Sequence, residues 1–292
     1  MRLKKISLNI AFLIFIGSAV TAQNIRATVG LGPSAYLGDL ISGSPLFKES
    51  SVSLNLGGTY DLTQQFRARL NLSLLGVKGD DAKSSRPDFQ ARALNFKSFV
   101  WELAAMGEYD FLDRDVYNIV PYAFGGLGLF HFNPTTIDAN GNKVHLHDIG
   151  TEGQTLPDSV RAKYGFEAPY KRLCVNIPLG LGLRYEVSET VSVGFEFCYR
   201  ILFTDHLDDV SRSQYVDPNL FYQYLPAATA AQAASLSYRA SPTADYNYGR
   251  ARGNPGSKDS YYTFQVSVAF RLDNLGIGGG PYEGYRRPRR YY

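Results

Sequence analysis

Residues 261–272, YYTFQVSVAFRL, alternate strictly at a period of two. Tyr262, Phe264, Val266, Val268, Phe270 and Leu272 fall on one face; Thr263, Gln265, Ser267, Ala269 and Arg271 fall on the other. That period belongs to a β-strand with one apolar side, not to a helix. Its rings lie toward both ends and its valines in the middle. A strand that crosses a bilayer has this profile, with aromatic side chains at the two interfaces and aliphatic ones in the hydrocarbon.

Seven further segments resemble it, giving eight strand-like stretches at about 24–36, 51–62, 65–79, 91–111, 117–132, 173–187, 190–204 and 260–272. The third sets Phe66, Ala68, Leu70, Leu72 and Leu74 against Arg67, Arg69, Asn71 and Ser73. The sixth carries Leu173, Val175, Ile177, Leu179, Leu181, Leu183 and Tyr185 on one face, and the seventh Val191 to Phe203 in the same way. Residues 116–137 contain no charge and are long enough for a membrane helix. Pro121, Gly125, Gly126 and Gly128 argue for a strand there instead.

The connections alternate in length. Tight turns are expected at Thr63-Gln64, at 112–116 and at Ser188-Glu189, and long ones between the remaining pairs, up to 133–172 and 205–259. Short turns on one side and long loops on the other mark outer-membrane barrels, with the short turns in the periplasm. The predicted fold is therefore all-β: an eight-stranded antiparallel up-and-down transmembrane barrel with both termini periplasmic.

The second face of these strands carries Arg26, Arg67, Arg69, Arg184, Arg200 and Arg271 with Asp61, Glu102, Glu108, Glu186 and Glu196. Eight strands enclose a space that side chains just fill. Opposite charges in it should pair into a plug, which argues against an aqueous channel. Alternation alone does not say which face is wet, because a lipocalin-like soluble barrel would turn the same apolar rows inward around a ligand. The inward charges, the aromatic strand ends and the loop asymmetry favour the membrane.

The ends carry their own signals. Arg2, Lys4 and Lys5 precede an apolar run, and Val20-Thr21-Ala22 offers small residues for cleavage. Residues 1–22 thus read as a cleaved signal peptide, in preference to a permanent anchor helix. Its loss lowers the formal charge from +3 to zero, which leaves nothing resembling a nucleic-acid-binding balance. Residues 23–272 form the barrel, and 273–292 a flexible basic periplasmic tail whose Arg286, Arg287, Arg289 and Arg290 are candidates for binding a partner. The two cysteines, Cys174 and Cys198, fall on neighbouring strands, with Cys198 opposite about Leu179. They are then roughly 16 Å apart along the strand, and a disulfide needs about 7 Å, so both thiols should be free and inward-facing.

No nucleophile motif frames His131, His145, His147 or His206, which read as solvated loop residues, and no third metal ligand accompanies His145 and His147. Neither catalytic residues nor a cofactor are expected. Asn140-Gly141 reads as a tight turn within the long 133–172 loop. Asp205, Asp208 and Asp209 suit hydrogen bonding at a loop base better than a divalent cation.

Several stretches together resemble one family. These are residues 36–40 (YLGDL), 79–82 (GDDA), 95–98 (NFKS), 121–130 (PYAFGGLGLF) with Asn133-Pro134, 150–154 (GTEGQ), 177–182 (IPLGLG), 204–211 (TDHLDDVS) and 252–255 (RGNP). In order and spacing the set is similar to the PorG-type barrels of the Bacteroidetes type IX secretion system. The resemblance implies a non-enzymatic integral outer-membrane protein, in contact with membrane lipid. It implies as partners the periplasmic ring lipoprotein and that lipoprotein's partner protein. The implied role is to anchor or position that ring during export of cargo and, in gliding species, of adhesins. His206 stands where the acidic motif is expected to carry tyrosine. A small channel or surface-binding barrel is the alternative function.

Overall fold

In a computed structural model, which describes residues 25–41, 49–240 and 251–272, the eight predicted strands close into a barrel. They are β1 (Ile25–Leu37), β2 (Ser51–Asp61), β3 (Phe66–Asp80), β4 (Asn95–Asp110), β5 (Ile119–His131), β8 (Leu173–Glu186), β9 (Val191–Leu202) and β10 (Ser260–Arg271). Each pairs antiparallel with its neighbours in chain order, and β1 pairs with β10 to close the cylinder. The stretch at 116–137 forms β5 and then a short strand, β6 (Thr135–Ile137), which makes a hairpin with β7 (Lys143–His145). Asn140-Gly141 turns that hairpin, as expected, with Gly141 at φ +81° and Asp138 accepting from the Asn140 and Asn142 amides at 2.9 and 2.8 Å. Among the described residues no helix is long and apolar enough to cross a membrane. The expected signal peptide and basic tail lie outside the described residues.

The faces fall as the alternation requires. Leu70 and Leu181 are 55% and 60% exposed, Val266 57%, whereas Arg67 and Glu108 are 1% exposed. A water-soluble monomer does not present a continuous apolar belt of this extent. This exterior therefore faces lipid, and the lipocalin-like alternative is excluded by the same observation. From Phe66 to Gly76, β3 rises about 33 Å, or about 25 Å along the axis of a barrel whose strands tilt by about 40°. That matches the apolar height of a bilayer-spanning barrel. Leu70→Arg, near mid-belt, is expected to cost about 2–4 kcal/mol in folding from urea into vesicles; a loss near zero would place this face in water.

Glycines make room for the aromatic part of the lumen. Tyr122 and Phe124 of β5 point inward opposite Gly182 and Gly180 of β8, and a Cβ there would come within 2.3 and 2.2 Å of the rings. Cys198 is opposite Gly180, one residue from the expected register, and it and Cys174 are free.

The long loops contain most of what the sequence did not predict. Among the described residues they hold a 3-10 turn (Asp81–Lys83), the β6–β7 hairpin and five short helices: α1 (Pro87–Arg92), α2 (Leu146–Ile149), α3 (Asp158–Tyr164), α4 (Pro218–Tyr224) and α5 (Ala227–Ser237). Proline at the first position opens α1 and α4, where its missing N–H costs nothing. Left-handed Gly150 and Gly165 close α2 and α3. These pieces pack on the upper lumen: Tyr36, Val77, Phe96, Phe130 and Leu202 of the barrel share one buried apolar core with Phe132, Leu207, Phe221, Ala230 and Leu236 of the loops. The long-loop end is a folded cap.

Candidate functional site

Two buried polar networks, one in the lumen and one in the cap, are the candidate sites. The lumen network is built on period-two positions of all eight barrel strands. Glu108 is its centre, paired with Arg67 and Arg69 at 3.3 Å each and in closer contact with Arg184. Arg67 also reaches Asp61 and Asp110 at 3.0 Å, and Arg184 reaches Asp110 at 3.0 Å. Arg69 grips Glu196 bidentately at 2.9 and 2.7 Å, and the Tyr122 hydroxyl donates to the same carboxylate at 2.7 Å. Arg26 pairs with Glu186 at 3.0 Å near the short-turn end. Arg271 lies half-buried opposite Arg26 in register.

Higher up, Arg200 approaches Glu102 at 3.4 Å and donates to Thr263 at 2.6 Å, while Asn176 and Tyr261 donate to Glu102 at 2.6 and 2.7 Å. On the sequence, Glu196 was the nearest counter-charge to Arg200 along its own strand. The structure pairs Glu196 with Arg69 instead. Residues four apart on a strand are about 13 Å apart, so lumen pairs form between strands: Arg67 with its register partners Asp61 and Glu108, Arg69 with Glu196 across the cylinder. Asp110 is an anion that sequence reasoning missed, although it continues the row of Glu102 and Glu108 at the same period. The inward rings were missed too: Arg69 stacks over Phe124, Arg184 over Tyr122 and Arg200 over Tyr261, with centroids 4.5, 4.3 and 5.3 Å away.

This arrangement fills the lumen. Two voids between the charged side chains measure about 20 and 10 Å³, room for about one water each. Charges this well paired supply neither a wide aqueous path nor a free nucleophile.

The cap network joins all four long connections. Arg252, 2% exposed, donates to Glu152 at 2.5 Å, to the Asp209 carbonyl at 3.0 Å and to the Thr151 hydroxyl at 3.0 Å. Glu152 also accepts from the Ser211 and Arg212 amides at 2.9 and 3.0 Å. Arg92 grips Asp81 bidentately at 2.7 Å and donates to the Asp39 carbonyl, also at 2.7 Å, and to the Arg252 carbonyl. The Tyr36 hydroxyl sits between Asp208 and Asp259, 2.5 and 3.0 Å away. Asp209, at φ +64°, accepts from Thr151 and, at 2.9 Å, from Tyr170.

The acidic stretch thus serves hydrogen bonding at the loop base, as expected. His206 is a correction: it stacks on Tyr170 at 4.5 Å with its side chain 12% exposed, held 3.3 Å from Glu167, and is not solvated. An aromatic ring is what that position uses. His147 also bonds inward, to the Tyr170 carbonyl at 3.0 Å. Among the described residues no group of three or more His, Cys, Asp or Glu is placed to hold a metal ion. The stretches 36–40, 79–82, 150–154, 204–211 and 252–255, far apart in sequence, all contribute residues to this cap.

Burial pushes the Asp209 carboxyl up to about 6, and does the same to Asp205. Asp208 and Asp259 are raised too, by burial first and then by a neighbouring carboxylate, which is Asp259 for Asp208 and Asp205 for Asp259. A carboxyl that holds its proton more tightly folded than unfolded adds stability below its folded pKa and loses it as pH rises through that value. The cap should therefore open less at about pH 5 than at about pH 7.5, by hydrogen exchange corrected for intrinsic rates. Asp209→Asn should flatten the difference, and greater opening at the lower pH would contradict this account.

The family model for a domain of unknown function, DUF6089, matches residues 4–157. No curated protein sequence matches the chain. Among solved structures it is similar to Neisserial surface protein A, at 11% identity and TM-score 0.41, covering 85% of this chain and 96% of that one. It is also similar to Ail, the attachment invasion locus protein of Yersinia pestis, at 9% identity and TM-score 0.39, covering 85% and 97%. The outer membrane protein OprG of Pseudomonas aeruginosa matches at 11% identity and TM-score 0.37, covering 86% and 97%. At these identities the likeness concerns chain path alone.

Proposed function

We propose that this chain, which belongs to the DUF6089 family, is a non-enzymatic outer-membrane barrel with a structural role in the type IX protein secretion machinery. In this reading it anchors or positions the periplasmic ring made by a lipoprotein and its partner protein. The observation that carries a structural role is the closed lumen: paired charges fill the barrel and a folded cap covers one end. A protein built this way offers surfaces rather than a path. The assignment to that machinery rests on the stretches that resemble PorG-type barrels, five of which supply cap residues. Short turns and both chain ends would face the ring, and the cap would face outward.

A second reading, a surface-binding barrel without a secretion role, is favoured by the rigid cap, which would present a fixed outer surface. Crosslinking in cells followed by co-purification from solubilised outer membrane separates the two. The first reading expects the ring lipoprotein and its partner to be captured; their absence, with the barrel recovered intact, overturns it. Deleting 281–292 should leave the barrel folded and weaken capture if Arg286, Arg287, Arg289 and Arg290 contact the ring. Steady conductance in planar bilayers would overturn the closed-lumen premise of both.

A further inference from the structure

Just above the lipid belt, the barrel wall carries an arrangement that neither network uses. Lys78 of β3 and Lys97 of β4 are register partners, directly opposite each other on the outward face. Like charges in that position repel and weaken a sheet. Below them the outward pairs are Gly76 with Phe99 and Leu74 with Trp101, where the apolar belt ends in aromatic rings. The two ammonium groups therefore lie at the level of lipid headgroups, one pair above the interfacial aromatics.

The lysines open onto a groove of about 560 Å³, within the usual range for a ligand site. The β6–β7 hairpin forms its far wall: Thr135 pairs with Lys97 and its hydroxyl donates to the Lys97 carbonyl at 2.9 Å. Lys143 and Arg239 complete the lining, with Lys83, Thr136 and Asn95. Five cations face three carboxylates here, and two of those carboxylates, Glu49 and Asp80, are taken up by one of the cations, Lys83. Glu49 pairs with Lys83 at 2.9 Å, Asp80 caps the Ala82 amide, and Asp138 folds back on its own turn. Arg239 donates to the Thr136 hydroxyl at 2.6 Å and to the Ile137 carbonyl at 3.1 Å, and Asp80 acts on it through space. Among the described residues, Lys78 and Lys97 have no carboxylate within 4.0 Å.

We propose that this groove binds the phosphate-bearing headgroup of a membrane lipid in the leaflet on the cap side, with Lys78 and Lys97 as the primary contacts. The hydroxyls of Thr135 and Thr136 and the Arg239 guanidinium line the space that the rest of the headgroup would occupy. A phosphate between the two ammonium groups converts their repulsion into a shared attraction, and the acyl chains would run down the belt past Phe99 and Trp101. The proposal rests on the membrane reading of the barrel; it does not depend on the secretion role.

Trp101 supplies the probe, because it is the only tryptophan in the chain and faces outward below Lys97. The full-length barrel would be reconstituted in nanodiscs of phosphatidylcholine doped with acyl-brominated phosphatidic acid or, in parallel, with acyl-brominated phosphatidylcholine. Quenching of Trp101 should require about tenfold less of the phosphatidic acid, given two lysine contacts at the headgroup. The K78Q/K97Q variant should lose that preference, keep ordinary quenching and keep heat-modifiable migration. A variant with the same charge loss elsewhere on the cap, R86Q/R161Q, should retain it. Inorganic phosphate at matched ionic strength should not displace the lipid; if it does, the site recognises free phosphate and the lipid assignment falls. Equal quenching by the two lipids, or a preference that survives K78Q/K97Q or disappears in R86Q/R161Q, overturns the site. Absence of quenching by either lipid overturns the membrane reading and the site with it.

Discussion

Replacing Glu108 by alanine is expected to lower the stability of the barrel by about 3–5 kcal/mol, more than any other lumen substitution. Its carboxylate is shared by Arg67, Arg69 and Arg184, all under 10% exposed. Removing it leaves three guanidinium groups crowded around the carboxylates of Asp110, Asp61 and Glu196, in a space where water is scarce. Breaking a buried pair from one side costs more than the pair itself contributes, because the abandoned charge keeps its desolvation penalty. Glu108→Gln, which retains the shape and one acceptor oxygen, should recover part of the loss.

Arg200→Ala provides the contrast at about 1–3 kcal/mol. Glu102 would keep Asn176 and Tyr261 as donors, and its distance from Arg200 is the longest of the lumen pairs. Urea titration of folding into vesicles, followed by heat-modifiable migration, ranks the variants. Equal effects of Glu108→Ala and Arg200→Ala would show that no single carboxylate organises the plug.

Arg252→Ala is expected to act on the cap alone. It removes a cation that joins Glu152, Thr151 and the Asp209 backbone, and it leaves Glu152 ionised, buried and short of one partner. A penalty of about 3–5 kcal/mol falls on the cap, whose polar network is separate from the lumen plug although its apolar core is shared with the upper barrel. Protease cleavage within 133–172 and 205–240 should accelerate by about 100-fold or more, while the strands below stay protected and heat-modifiable. Because Arg92 donates to the carbonyl of Arg252, Arg92→Ala should open the same region. Simultaneous loss of barrel and cap in Arg252→Ala would mean that the two fold as one cooperative unit.

How much of this was legible in the sequence depends on which physical rule governed each residue. Strand faces follow a local period, so the outward row from Phe66 to Leu74 and the inward burial of Arg67, Arg69, Glu102, Glu108, Arg184, Glu196 and Arg200 could be read directly. Asp110 obeys the same period and could have been found by extending the row of Glu108 by two. The role of Tyr122 and Phe124 could not, because it depends on Gly182 and Gly180 standing opposite them. That is a matter of register between strands more than 50 residues apart. Partner choice in the lumen was illegible for the same reason: Arg69 reaches Glu196 across the cylinder.

The cap was the larger omission. Its helices are short, its loops carry no sustained period, and its core is assembled from residues contributed by every long connection. His206 looked like a polar loop residue because nothing within its own stretch shows that Tyr170 lies beneath it.

Alternation of apolar and polar residues by itself determined that this chain forms strands, how many line the barrel, and which residues share a face. Those are properties of the backbone pleat and need no distant partner. The folded cylinder alone decided which carboxylates the lumen arginines hold and that the loops close over one end. Apart from the Asp61–Arg67 hairpin pair, these are contacts between segments remote in the chain, and their energy exists only after those segments have come together.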